Sequence, residues 1–252
     1  MMRLTVLGCS PACQNPGGAC SGYLIEQDGT AVLLDCGSGV FGRLQQYLKP
    51  EQLQAVVVSH MHADHFLDLI QYRYYLYFAN MVRPLQQRPA LFLPPGGHAK
   101  LLAVSLLQDP SETFFSALFD THEYDPSVPL HVGALTVDFV PVRHIPHTYG
   151  MRVRGDAVLA YSSDSGLCEG LGDVARSSDL FLSECANTDQ SEYPFHLTPR
   201  QAGSIASSSG SKQLLLTHRW WVHGHDVALG EAAETYHGPM RMAQEGMQLE
   251  LS

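Results

Sequence analysis

Short apolar runs separated by turn-forming residues recur along the whole chain and predict strands alternating with helices. Residues 3–8 read as a first strand, which enters a Gly/Pro-rich loop from Cys9 to Gly22. Residues 23–26 and 31–34 read as a hairpin around the tight-turn pair Asp28-Gly29. Residues 41–48 predict a helix that stops before Pro50, because the residue ahead of a proline is pushed out of the helical region. Residues 55–58 are a buried-strand pattern. A helix is expected to begin at Phe66 and continue to about Met81, carrying Tyr72, Tyr74, Tyr75, Tyr77 and Phe78. Five rings in seven positions exceed one helical face, so some must pack outside the local core, against a dimer partner or as a lid.

Further on, residues 90–93 predict a strand, 98–107 a helix and 114–119 a short helix. Residues 135–140 alternate as a strand that leads to His144. Residues 157–161, 179–185 and 213–218 give three more strands. Thr198 is a good helix N-cap, Pro199 suits the first helical position, and Gly210 marks the end of that helix. Residues 228–243 are expected to be helical and to pack on the sheets. Two rounds of strand and helix in one chain suit a sandwich of two sheets with helices outside them.

The 252 residues suffice for a single domain, 1–252, with a sizeable core, and 45% hydrophobic composition makes the chain globular. No apolar run reaches the roughly twenty residues that a membrane span needs. The first strand begins too early for a secretory signal, so a cytoplasmic enzyme is expected. Fifteen basic against twenty-five acidic residues give a net charge of −10, which opposes nonspecific nucleic-acid binding. Of the six cysteines, Cys9, Cys13 and Cys20 lie together in the first loop. They could be a disulfide, a small metal site or free thiols, and a cytosolic chain favours thiols.

The chemistry concentrates directly after the apolar run at 55–58, in Ser59-His60-Met61-His62-Ala63-Asp64-His65. His60 and His62 are two apart and leave extended backbone on one face, so they can chelate one ion. Asp64 and His65 fall where the chain turns into a helix and suit a second ion nearby. Imidazole nitrogen with carboxylate oxygen and no thiolate favours zinc, with manganese or iron as competitors.

His-x-His-x-Asp-His after a strand resembles the defining motif of the metallo-β-lactamase superfamily, and this chain resembles its ribonuclease Z and phosphodiesterase branch. The resemblance runs from Leu4 to His218. It implies an α/β fold, the four-layer αββα sandwich, and two divalent metal ions. It assigns His60, His62 and His144 to the first ion and Asp64, His65 and His218 to the second, with Asp164 bridging. Asp35 matches an aspartate that orients a metal-binding histidine without touching metal. Glu184 and His196 match the Glu/His pair of ribonuclease Z-like enzymes, and Asp64, Glu184 and His196 form the catalytic set. His147 is placed on the rim. His223, His225 and Asp226 depart from the expected pattern and read as a substrate-facing wall or a solvated loop.

The activity implied is hydrolysis of a small or cyclic-nucleotide phosphodiester by a hydroxide shared between the ions, with His196 protonating the leaving oxygen. The alternatives are a ribonuclease Z-type endonuclease that matures tRNA 3′ ends, a thioester or lactam hydrolase, and a non-catalytic binding module. RNA is disfavoured by the net charge and by the lack of a long Gly- and Lys-rich inserted arm. A homodimer is compatible with the aromatic helix.

Overall fold

The computed structural model describes residues 1–189, 191 and 193–252. In chain order the strands of the first half are β1 (Met2–Gly8), β2 (Gly22–Gln27), β3 (Thr30–Leu34), β4 (Ala55–Val57), β5 (Ala90–Leu93) and β6 (Asp120–Glu123). The second half supplies β7 (Leu130–Val132), β8 (Leu135–Val142), β9 (Thr148–Arg154), β10 (Val158–Tyr161), β11 (Leu180–Glu184), β12 (Leu214–Thr217), β13 (Met240–Met242) and β14 (Gln248–Leu251). The helices are α1 (Val40–Leu44), α2 (Ala63–Phe66), α3 (Leu69–Val82), α4 (Gly97–Ser105), α5 (Gly170–Ala175), α6 (Pro199–Ser209) and α7 (His225–Ala233).

The strands form two seven-stranded sheets, ordered β14-β1-β2-β3-β4-β5-β6 and β13-β12-β11-β10-β9-β8-β7. Side chains alternate across each strand, and the alternation sorts them into layers. Tyr23, Ile25, Val32 and Leu34 of the first sheet meet Val137, Val153, Leu159 and Leu182 of the second in a central core. Leu24, Leu33 and Val56 point the other way, onto Phe41, Leu69, Tyr72 and Leu76. Phe181, Leu214 and Leu216 likewise face Leu171, Val174, Ile205 and Ala232. The result is the αββα sandwich. Strands buried on both faces explain why these segments read as continuous apolar runs.

In each sheet one half is parallel: β3 to β6 in the first, β10 to β13 in the second. The loops that leave the C-terminal ends of β3, β4, β8, β10, β11 and β12 carry the candidate chemistry. Open α/β sheets bind ligands at such strand ends.

Several sequence expectations need correction. The helix expected from Phe66 is two helices, α2 and α3, separated where Asp68 turns to accept the backbone N–H of Phe41 at 2.9 Å. Residues 114–119 are not a helix. They are linked turns mixing three- and four-residue hydrogen bonds, with Phe114, Phe115, Leu118 and Phe119 buried. The helix expected over 228–243 is α7, which starts and ends earlier. Gly238-Pro239 then leads into β13, which pairs in parallel with β12. The helix expected over 41–48 is α1 followed by turns. The aromatic run on α3 divides as its ring count requires: Tyr72 is fully buried, whereas Phe78 is 60% exposed.

Candidate active site

His60, Met61 and His62 leave β4 in extended backbone, and the alternation separates them. The Met61 side chain joins the outer apolar layer, while the two imidazoles turn to the space between the sheets. His62 Nδ1 lies 3.1 Å from His60 Nε2 and 3.3 Å from His144 Nε2. Each ring is held from behind. His144 Nδ1 donates to the Phe195 carbonyl at 3.0 Å, and His60 Nδ1 faces the Ser59 hydroxyl at 3.1 Å. Burial first, and then neighbouring His65, holds the His60 ring well below its usual pKa. Burial lowers His62 and His144 as well. Three neutral imidazoles thus aim nitrogen lone pairs at one point.

α2 presents the second group. His65 Nε2 lies 3.4 Å from Asp64 and 3.3 Å from Asp164, and His218 Nε2 lies 3.3 Å and 3.4 Å from the same two carboxylates. Asp164 faces both groups. Its Oδ1 is turned to His65 and His218, and its Oδ2 to His60 and His144 at 3.8 Å and 3.9 Å. Burial works against the charge on Asp164, but His218 and His65 outweigh it and hold the carboxyl well below its ordinary range.

Asp35 organises this arrangement from below. It is fully buried, and one of its oxygens accepts from His65 Nδ1 at 2.8 Å, the Ser59 hydroxyl at 2.8 Å and the Tyr161 hydroxyl at 2.9 Å. The other accepts the Ser59 N–H at 2.7 Å. Asp35, Ser163 and His218 all have positive φ, at 57°, 52° and 56°. Each sits just beyond a strand, and left-handed backbone at a non-glycine residue is strained and concentrates at functional sites.

Glu184, at the end of β11, accepts His196 Nδ1 and the Ser165 N–H on one oxygen, at 2.8 Å and 2.9 Å, and the Ala186 N–H on the other at 2.9 Å. Burial opposes a charge on His196, but Glu184 outweighs it and raises the ring to about 9. The His196 ring stacks on His218 with centroids 5.6 Å apart and lies 5.1 Å from that of His144. It therefore borders both groups.

The donor set fits divalent metal. His65 Nε2 and Asp164 Oδ1 are buried without a hydrogen-bond partner among the described residues. Nitrogen separations of 3.1 and 3.3 Å match the roughly 3.3 Å edge of a tetrahedron with metal–nitrogen bonds of about 2.0–2.1 Å. Unpartnered polar atoms this close together are costly unless a cation satisfies them.

The structure brings together His60, His62, Asp64, His65, His144, Asp164 and His218, with Glu184 and His196 beside them. His147 is exposed and joins neither group. His223 packs against the Trp220 ring and His225 opens α7, and neither joins a converging group among the described residues. All six cysteines are free thiols. Sequence reasoning missed Ser59 and Tyr161, which hold Asp35. Tyr161 carried a signal, as a polar-tipped residue at the end of an apolar strand, but its partner Asp35 lies far away in sequence. A groove of about 1090 Å³, lined by Arg3, Glu26, Gln54, Arg83 and Arg88 among others, contains none of these groups.

A αββα sandwich with clustered histidines and aspartates at its strand ends defines a metal-dependent hydrolase. The sequence profile of the Beta-lactamase superfamily domain matches residues 30–219, and the chain belongs to that superfamily. It is 32% identical over 253 residues to the probable metallo-hydrolase YhfI of Bacillus subtilis, covering 97% of this chain and 98% of the relative. The crystal structure of YhfI superposes with a TM-score of 0.89 at 27% identity, covering 98% of each chain. Ribonuclease Z of Myxococcus xanthus is 25% identical over 306 residues, covering 100% of this chain and 98% of the relative. A diphosphatase of the PhnP family shares the fold, with a TM-score of 0.79 at 21% identity and coverage of 100% and 98%.

Proposed function

We propose that this protein is a binuclear metal phosphodiesterase acting on a small or cyclic-nucleotide phosphodiester. The observation that carries the reading is the Glu184–His196 pair, joined at 2.8 Å and set beside both groups of metal-type donors. His60, His62 and His144 would hold one ion and Asp64, His65 and His218 the other, with one oxygen of Asp164 toward each. Zinc suits this nitrogen and oxygen set, and manganese or iron(II) can replace it. When bound, such a pair supplies an activated water near neutral pH and neutralises phosphate charge.

The chain's own residues do the rest. Asp35 fixes the His65 tautomer by accepting its Nδ1 proton, which leaves Nε2 to face the site. Against the opposing effect of burial, Glu184 favours the protonated His196 ring, whose Nε2 can donate to the leaving oxygen. A thioester needs no such donor beside the metals, because its thiolate leaves without being protonated. Tyr193, half exposed and 5.5 Å from the His196 ring, offers an aromatic surface next to the leaving-group side. The test is hydrolysis of bis-p-nitrophenyl phosphate, cyclic nucleotides and thioesters with added zinc or manganese. Cyclic-nucleotide turnover that drops on His196→Ala supports the reading; thioester turnover indifferent to that change overturns it.

The similarity to ribonuclease Z favours a second reading, tRNA 3′ processing. It requires salt-sensitive tRNA binding, which the net charge of −10 opposes.

A further inference from the structure

We propose that Asn187, clamped by the buried guanidinium of Arg219, is the positioning residue that sets His196 against the metal groups. The inference rests on the phosphodiesterase reading for its kinetic consequence, but not for its geometry. Arg219 follows His218 directly and is 1% exposed, the largest of the fully buried side chains. Its Nη1 donates to the carbonyls of Cys185 and Asn187, at 2.9 Å and 2.5 Å. Those residues lead out of β11, just past Glu184. Asn187 Nδ2 in turn donates to the carbonyls of Tyr193 and His196, at 2.6 Å and 2.9 Å, and its backbone N–H donates to Leu197 at 2.9 Å.

One buried cation therefore ties together the strand end with Glu184, the loop with His196 and the residue after His218. The third loop joins as well: Asn15 Nδ2 donates to the Arg219 carbonyl at 3.0 Å, and Asn15 Oδ1 accepts the Trp221 N–H at 3.1 Å. A guanidinium is expensive to bury, and no carboxylate among the described residues hydrogen-bonds Arg219. Its Nε and Nη2 have no hydrogen-bond partner there. An apolar side chain would fill the space at lower cost, so the fold gains from Arg219 what an apolar chain lacks: two donors aimed at carbonyls of the loop that bears the proton donor. Glu184 alone fixes one ring nitrogen of His196. The backbone hold through Asn187 fixes the direction in which the other nitrogen points, and such placement governs proton transfer.

Asn187→Ala and Asn187→Asp test this, since both remove the amide donor to the Tyr193 and His196 carbonyls while keeping Glu184 and every metal-type donor, and the side chain is only partly buried. The holoenzyme variants are compared with His196→Ala on a diester with a good leaving group, bis-p-nitrophenyl phosphate, and one with a poor leaving group, a 3′,5′-cyclic nucleotide. Loss of a positioned acid costs about 10²–10⁴-fold where the leaving group needs a proton. The Asn187 variants are expected to lose at least about tenfold of that rate on the cyclic nucleotide and under about threefold on bis-p-nitrophenyl phosphate, with unchanged metal content per chain. Proton NMR supplies the second readout. The far-downfield Nδ1–H resonance that His196→Ala and Glu184→Gln both remove is expected to broaden or vanish in the Asn187 variants. Equal losses on both substrates, or lost metal, would mean a merely structural role and overturn the proposal. So would an unchanged resonance in both variants. If the unaltered enzyme hydrolyses no diester, the phosphodiesterase reading has failed, and the resonance alone decides the positioning role.

Discussion

At the scale of single residues, protonation is the main determinant of behaviour. Burial works against a charge on His65, but Asp164, Asp35 and Asp64 surround it and raise its pKa well above the usual value. In the metal-free protein the His65 proton stands where a cation would. Metal binding is therefore expected to release a proton, which titration calorimetry in two buffers of different ionisation enthalpy would detect. Identical heats in both buffers would contradict it. His196 gives a pH dependence. Its folded pKa of about 9 exceeds the unfolded value, so its contribution to stability is complete below about pH 6.5 and is lost as pH rises through about 9. Denaturant melts of metal-free protein should show a decline on the order of 2–3 kcal/mol across that window, and Glu184→Gln should flatten it. The pair is mostly shielded from solvent, with 18% and 1% side-chain exposure, so screening removes little of this.

Elements place these residues through a few tight approaches. Gly37 lies two residues after Asp35, and a Cβ there would meet the Asp64 carbonyl oxygen at 1.8 Å. Backbone bonds lock the same contact, with Cys36 N–H on the His65 carbonyl at 2.7 Å. Gly37→Ala is expected to push α2 away, cost roughly 1–3 kcal/mol and weaken binding of the ion held by Asp64 and His65. Thermal melts and metal content per chain would check both effects. At α6, Thr198 and Gln201 form a capping box, with Thr198 Oγ1 accepting the Gln201 N–H at 3.2 Å. Thr198→Ala should cost about 1 kcal/mol in a denaturant melt. The central strands and α6 were legible in the sequence because burial on two faces and capping chemistry are local patterns. Four of the five unpredicted strands, β6, β7, β13 and β14, are the four sheet edges. Edge strands are short and polar on purpose, as Asp120-Thr121-His122-Glu123 of β6 illustrates, and their identity depends on a neighbour. The fifth, β9, is central, but its Thr148–Arg154 segment reads first as a motif and only then as a strand.

Across the whole molecule, charge and layering set what reaches the site. A net charge of −10 with three lysines predicts weak tRNA affinity even at low salt, measurable by fluorescence anisotropy; tight binding with a steep salt slope would favour the ribonuclease reading instead. No helix among the described residues is long and apolar enough to cross a membrane. By itself the sequence determined the alternation of elements, the superfamily and the residue types at the site, because a metal-binding motif is written in consecutive positions and backbone periodicity is local. Only the tertiary structure decided how donors up to 158 positions apart, from His60 to His218, divide into two groups that share Asp164. It alone decided which buried atoms stay unpartnered and that Arg219 ties three loops together. The reason is that hydrogen bonds and ligand convergence are properties of distance, and the distances are fixed only when two sheets close on one core.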